Sequence, residues 1–228
     1  FAYNEYDDDE INEAFLAGEF ADDDILEIRS ILETANWPVA VRSSSLLEDS
    51  SHQPFAGVYA TYMLANDHPD VDVRLSRLLQ AIKLVYASIF HKGAKKYVTA
   101  TANKIEDERM AVVIQEVVGR GKSGRFYPDI SGAARSRNHY PVDPLKMEDG
   151  LAAVCIGLGR QVSTGGKCLR FSPGQPKRIH QFHSTDSIIE TSQSTLFAIP
   201  MEEESGDISP SEEENLLKLG LSAPEEDG

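Results

Sequence analysis

Leu75, Leu78, Leu79, Ile82, Val85, Tyr86 and Ile89 recur with a period near 3.6, which predicts one long amphipathic helix over residues 73–90 with an apolar stripe against the core. A shorter helix is expected over residues 22–32. There Ile25, Ile28, Ile31 and Leu32 fall at helical spacing and an aspartate run suits the N-terminal end. Asn36-Trp37-Pro38 stops it, because the residue before a proline is pushed out of the helical region. Continuous apolar runs predict buried strands at Val39-Ala40-Val41, at residues 110–118 (MAVVIQEVV) and at residues 151–156 (LAAVCI). The first delivers Arg42 and the Ser43-Ser44-Ser45 run to a loop. Residues 55–64 read as a strand or hairpin, with Gly57 where another backbone can approach closely. A turn at residues 119–121 returns the chain into a strand over 123–127. The first residues read as a loop-like acidic stretch. After Pro200 the pattern dissolves, apart from a short amphipathic stretch at Leu216, Leu217 and Leu219. No internal repeat or heptad pattern is present.

Charge divides the chain further. The 228 residues carry a net charge of -15, yet residues 1–36 hold 12 acids against Arg29 alone and residues 201–228 hold 10 against Lys218 alone. The stretch between has 15 acids and 20 bases, so a body with a positive balance sits between acidic flanks and could receive an anionic ligand. The expected organisation is an acidic N-terminal flank with a helix (1–36), a central domain (37–200) and an acidic C-terminal tail (201–228). A chain of this length buries roughly 70% of its extended surface and needs no covalent staples. No apolar run is long enough for a transmembrane helix, and the N-terminus lacks the basic and apolar regions of a signal peptide. Only Cys155 and Cys168 are present, too few for a disulfide scaffold or a four-thiolate zinc site. A reducing cytoplasm is the expected location.

The most informative segment is residues 39–64, VAVRSSSLLEDSSHQPFAGVYATYML. An arginine directly after a buried strand is held at fixed depth, and guanidinium with hydroxyl and backbone N–H donors suits phosphate oxygens. An arginine paired with Glu48 or Asp49 beside a serine-rich turn is the competing reading. His180 and His183 stand three apart without carboxylate or thiolate neighbours, a poor metal pair. Gly165-Gly166-Lys167 lacks the rest of a Walker pattern. The basic cluster between Gly119 and Arg137 has only the adjacent Phe126-Tyr127 pair among its bases and no regular interleaving of aromatics, so nucleic acid is not an expected partner, and without a long apolar run neither is a membrane.

VAVRSS, an acidic pair, then FAG with a threonine four residues after the glycine, resembles the nucleotide-binding domain of phosphoenolpyruvate synthase and pyruvate phosphate dikinase. The resemblance continues through AIKLVYASIF, MAVVIQEVVG, SGRFYPDISG and the GLG at residues 157–159, so five blocks in order cover roughly residues 25–172. It implies an α+β fold of ATP-grasp type, in which two lobes close on ATP. It also implies transfer of phosphate from ATP to a histidine on a separate swivelling domain and onward to pyruvate. The implied partners are therefore nucleotide, that phosphohistidine domain and a pyruvate/PEP-binding domain.

By the same resemblance Arg42, with Ser43 beside it, contacts ATP phosphates and is the implied catalytic residue. Gly57 and Thr61 belong to the loop over the phosphates, and Gln115, Glu116 and Val117 form the hinge at the adenosine end. A strand edge there can pair with adenine, and Glu116 can accept from ribose hydroxyls. The departures point the other way. The family's lysine-bearing segment of the first lobe has no counterpart here, so an incomplete first lobe is expected. Arg160 stands where the family has a metal-binding glutamate, while Arg170 and Ser172 align with its downstream glutamine and arginine. ATP is the expected cofactor, and Mg2+, expected of the family, has its ligand replaced. The alternative is a degenerate ATP-grasp module acting as a nucleotide sensor or interaction domain.

Overall fold

A computed structural model describes residues 6–46, 48, 57–100, 108–201 and 206–221, with the side chain of His180 left aside. The chain divides into two compact units: Phe1–Val117 with Lys122–Phe126 and Ile199–Leu216, and Val118–Gly121 with Tyr127–Ala198 and Leu217–Gly228.

The first unit is built around β1 (Val39–Ser45), which lies between β2 (Thr61–Leu64) and β3 (Met110–Glu116) in an antiparallel sheet. Val39 and Val41 point from one face of β1 into a core with Leu75, Leu78, Ile82, Leu84 and Val85 of α3 (Val71–Ala87). The apolar stripe expected over residues 73–90 is that helix, its last residues tightening into a 3-10 turn at Ser88–Phe90. The helix expected at 22–32 is α2 (Asp22–Thr34). Its C-terminal carbonyls would be orphaned in the core, and buried Arg74 answers them: one guanidinium nitrogen donates to Leu32 O at 2.9 Å and to Ala35 O at 2.7 Å.

Three local expectations need correction. The opening acidic stretch is not a loop beyond Asp7. It forms α1 (Asp8–Leu16), started by a capping box in which Asp7 accepts from Asp9 and Glu10 N–H and Glu10 accepts from Asp7 N–H. The serine run is likewise strand. Ser43 and Ser45 alternate into the buried face, and β1 ends only at Ser45. Finally, β3 is not a buried strand but the sheet's edge, with Ile114 44% exposed. A continuous apolar run does not by itself say how many faces are covered.

Residues 206–216 join this core although their sequence is mostly acidic and small. Ile208 is buried against it, and Gln80 of α3 holds the segment by accepting from Ile208 N at 3.0 Å and donating to Asp207 at 2.6 Å. Gln80→Ala should lower stability by about 1 kcal/mol, the usual net worth of such bonds. Chemical denaturation would measure it, and an unchanged midpoint would mean the segment is not held there. Residues 92–99 form α4 (Lys92–Thr99). The short β4 (Arg120–Lys122) precedes β5 (Arg125–Tyr127), which pairs antiparallel with β9 (Thr195–Pro200) through Arg125↔Pro200 and Phe126↔Ile199.

In the second unit β6 (Ser131–Arg135), β7 (Leu151–Cys155) and β8 (Leu169–Phe171) form an antiparallel sheet with β7 central. β10 (Leu217–Gly220) pairs with the first part of β9. The unit also holds α5 (Arg160–Ser163), a single turn after the GLG, and α6 (Thr185–Thr191). Among the described residues no helix is long and apolar enough to cross a membrane.

Candidate functional site

Strand register decides what the sequence-predicted residues can do together. Arg42 lies opposite Thr61 on one side and Val113 on the other, and directly opposite residues in a sheet share a face. Gln115, two residues beyond Val113, returns to that same face. The guanidinium of Arg42 meets it: Nε donates to Gln115 Oε1 at 2.9 Å, and one terminal nitrogen donates to Ser43 O at 3.3 Å. Arg42 is exposed, in contrast with the buried neighbours on the other face of β1. Part of its donor fork is thus fixed in place by Gln115, while the side chain stays open to a ligand.

The same alternation sends Ser43 to the opposite face. It is buried, and its hydroxyl donates to Glu48 Oε1 at 3.0 Å while Glu48 N donates to Ser45 Oγ at 3.1 Å. The second carboxylate oxygen of Glu48 is buried without a hydrogen-bond partner among the described residues. Nearby, Tyr59 donates to Glu108 at 2.6 Å, and burial first, then Glu108, pushes its phenol well above the usual range. Thr61 is on Arg42's face, and its backbone N–H donates to Glu212 Oε1 at 2.9 Å. Glu212 belongs to the acidic segment read from sequence as tail, and nothing local in the sequence pointed to this contact. Gly57 sits at φ 80°, a left-handed conformation suited to glycine, while Phe55 and Ala56 before it lie outside the described residues.

The hinge residues divide more finely than their sequence suggested. Val117 N donates to Pro38 O at 2.8 Å, so its N–H is committed to β1. In an antiparallel ladder successive residues point their backbone groups to alternate sides. Gln115 therefore also faces β1. The N–H and C=O of Ile114 and Glu116 face the edge of β3 that no strand of this sheet covers. Among the described hinge residues, Glu116 is the one whose backbone groups face this uncovered edge and whose side chain is exposed.

Arg160 belongs to the second unit. Gly157 N donates to Pro128 O at 3.2 Å and Leu158 N to Phe197 O at 2.9 Å, which fixes the GLG loop over β9. Arg160 follows at the start of α5 with its guanidinium 5.8 Å from the centre of the Phe197 ring, a cation–π contact. Arg170 donates to Gly166 O at 3.2 Å, and buried Ser172 donates to the carbonyls of Asp149 and Gly150, so both are tied to local backbone. No group of three or more His, Cys, Asp or Glu able to hold a metal occurs among the described residues, and a guanidinium follows the GLG. The Arg160 side chain itself offers a magnesium ion no oxygen ligand.

An α+β chain with an exposed arginine beside an open strand edge is the kind of surface a nucleotide-binding domain presents. The family model for the pyruvate phosphate dikinase AMP/ATP-binding domain matches residues 3–214, and the chain belongs to that family, whose fold is ATP-grasp-like. It is also 29% identical over 153 residues to an uncharacterized phosphotransferase, YvkC, of Bacillus subtilis (strain 168). The match takes in 66% of this chain and 16% of that relative's length.

Proposed function

We propose that the chain is the ATP-binding part of a phosphoenolpyruvate synthase- or pyruvate phosphate dikinase-like phosphotransferase. In this reading phosphate passes from ATP to a histidine on a separate swivelling domain and then to a pyruvate-binding domain. The observation that carries it is the Arg42–Gln115 pair on the exposed face of β1 and β3, next to the open edge at Glu116. Arg42 would take phosphate oxygens, Gln115 would hold its fork in orientation, and Thr61 and Gly57 would border the phosphates. Ser43 would act indirectly, by fixing Glu48. Backbone groups of Glu116 would pair with adenine and its carboxylate would accept from ribose. ATP, when bound, supplies the phosphoryl group; the residues named bind and orient it.

Adenine offers a donor where guanine offers an acceptor at the 6-position, so pairing at the edge should favour ATP over GTP. About tenfold, or ~1.4 kcal/mol, is the expected margin. Calorimetry with both nucleotides tests this, and equal affinities would remove the hinge assignment while leaving a polyphosphate site.

A second reading rests on Arg160, which replaces the glutamate expected from the family and packs on Phe197. Losing a carboxylate that neutralises charge through a metal should damage transfer more than binding. In this reading the chain would bind nucleotide without turning over, and a nucleotide sensor would use the same site. Arg160→Glu should weaken ATP binding in chelator and make it respond to magnesium. Wild type and variant responding alike to magnesium would make Arg160 a packing residue only. Nucleotide binding by a full-length protein that forms no phosphohistidine would favour the sensor.

A further inference from the structure

The two cysteines stand in one ladder. β7 and β8 pair through Ala152↔Phe171, Ala153↔Arg170 and Val154↔Leu169, and one further step of this register sets Cys155 opposite Cys168. The side chain of Gln181 reveals which kind of pair this is. It accepts from Arg170 N at 2.7 Å and donates to Cys168 O at 3.1 Å, so the backbone groups at 168 and 170 point away from β7. Cys155 and Cys168 therefore occupy a non-hydrogen-bonded position, where opposite Cα atoms lie about 4.5 Å apart and side chains come closest. That spacing falls within the roughly 4.4–6.8 Å that a disulfide spans. Both cysteines are free and buried. Burial, and then the neighbouring Cys168, hold the Cys155 thiol above its ordinary pKa, as expected for two sulfurs in proximity.

Access and consequence are also built in. Cys155, with Ile130, Val154, Leu169 and Phe182, lines an apolar cavity of about 300 Å³. Cys168 is fully buried. The Cys155 thiol donates to Leu158 O at 3.7 Å, so its proton helps to hold the middle residue of the GLG loop.

We propose that Cys155 and Cys168 are a reversible oxidation site: a peroxide converts them to a cross-strand disulfide, and a dithiol restores them. The sulfur of Cys155 attacks one peroxide oxygen, the O–O bond breaks, and the thiol proton leaves with the other oxygen as water. The sulfur of Cys168 then attacks the resulting sulfenic sulfur. The S–S bond forms, the S–O bond breaks, and hydroxide with the Cys168 proton leaves as a second water. Two thiols are oxidised by two electrons and one peroxide is reduced. With the disulfide formed, Cys155 has no proton left to donate to Leu158 O.

The test treats the reduced, folded 228-residue chain with hydrogen peroxide, counts thiols after denaturation and maps peptides without reduction. Loss of both thiols, a mass decrease of about 2 Da, a peptide linking 155 to 168 and full recovery with dithiothreitol are expected. In Cys168→Ser a dimedone probe should label Cys155, whereas in Cys155→Ser the native chain should keep its remaining thiol. Should either variant fail to fold, the wild-type map decides alone. Oxygen gain without a cross-link, cross-links only between chains, or thiol loss only in denaturant would overturn the proposal. Amide exchange over residues 157–160 should rise in the oxidised protein, and unchanged exchange with the disulfide in place would overturn the coupling to the loop.

Discussion

Replacing Arg42 with alanine should weaken ATP binding by about 1.5–3 kcal/mol, the range for hydrogen bonds to charged groups, while leaving the fold intact. Arg42 is exposed, so its loss leaves the core packing untouched. Its side chain faces away from the Val39 and Val41 core, so truncation removes only the bond to exposed Gln115 and a long 3.3 Å bond to Ser43 O. Arg42→Lys should recover only part of the loss, because an ammonium cannot hold Gln115 and a phosphate with one planar fork. Gln115→Ala should give a smaller loss than Arg42→Ala, since it removes the fork's orientation and not its charge. Calorimetric titration of the three variants would check the order. Equal affinity in wild type and a folded Arg42→Ala protein would remove Arg42 from the nucleotide site.

Gly157→Ala should destabilise the second unit by about 2 kcal/mol or more, with two separable causes. Gly157 has φ 81°, a left-handed conformation that costs an L-residue roughly 1–2 kcal/mol. A Cβ there would also lie 2.8 Å from Phe197 O and 3.0 Å from Leu196 Cβ, and a backbone carbonyl cannot move aside cheaply. Gly121→Ala is the control, having nothing within 4 Å of its added Cβ. It should change stability by no more than about 0.5 kcal/mol. Denaturation of both variants tests the contrast, and a Gly157→Ala protein as stable as the control would mean that the loop does not lie against β9 as described.

How far the sequence carried depended on how local each cause was. The α3 stripe is a property of one helix, so periodicity alone located Leu75, Leu78, Ile82 and Val85 in the core. Arg42 and Gln115 were each legible from motif, but their hydrogen bond follows from the β1–β3 register across 73 positions, which no local pattern encodes. α1 was missed because its composition is acidic, although Asp7 and Glu10 at capping-box spacing carried the signal. Residues 206–216 could not be read because Ile208 is a lone apolar residue in polar surroundings, held by Gln80 from α3. The commitment of Val117 N–H to Pro38, which moves the open hinge position to Glu116, follows from ladder parity and not from residue type. Arg160 was singled out from the GLG motif, while its contact with Phe197 depends on β9 returning from 37 residues further on.

The central claim is that this chain binds ATP through the Arg42 face. Isothermal titration of ATP into the 228-residue protein in chelator, with Arg42→Ala alongside, tests it most directly. Saturable binding of one ATP per chain, reduced at least tenfold in the variant, is the predicted result. No binding by a cooperatively melting wild-type protein, or equal binding by both proteins, would contradict it.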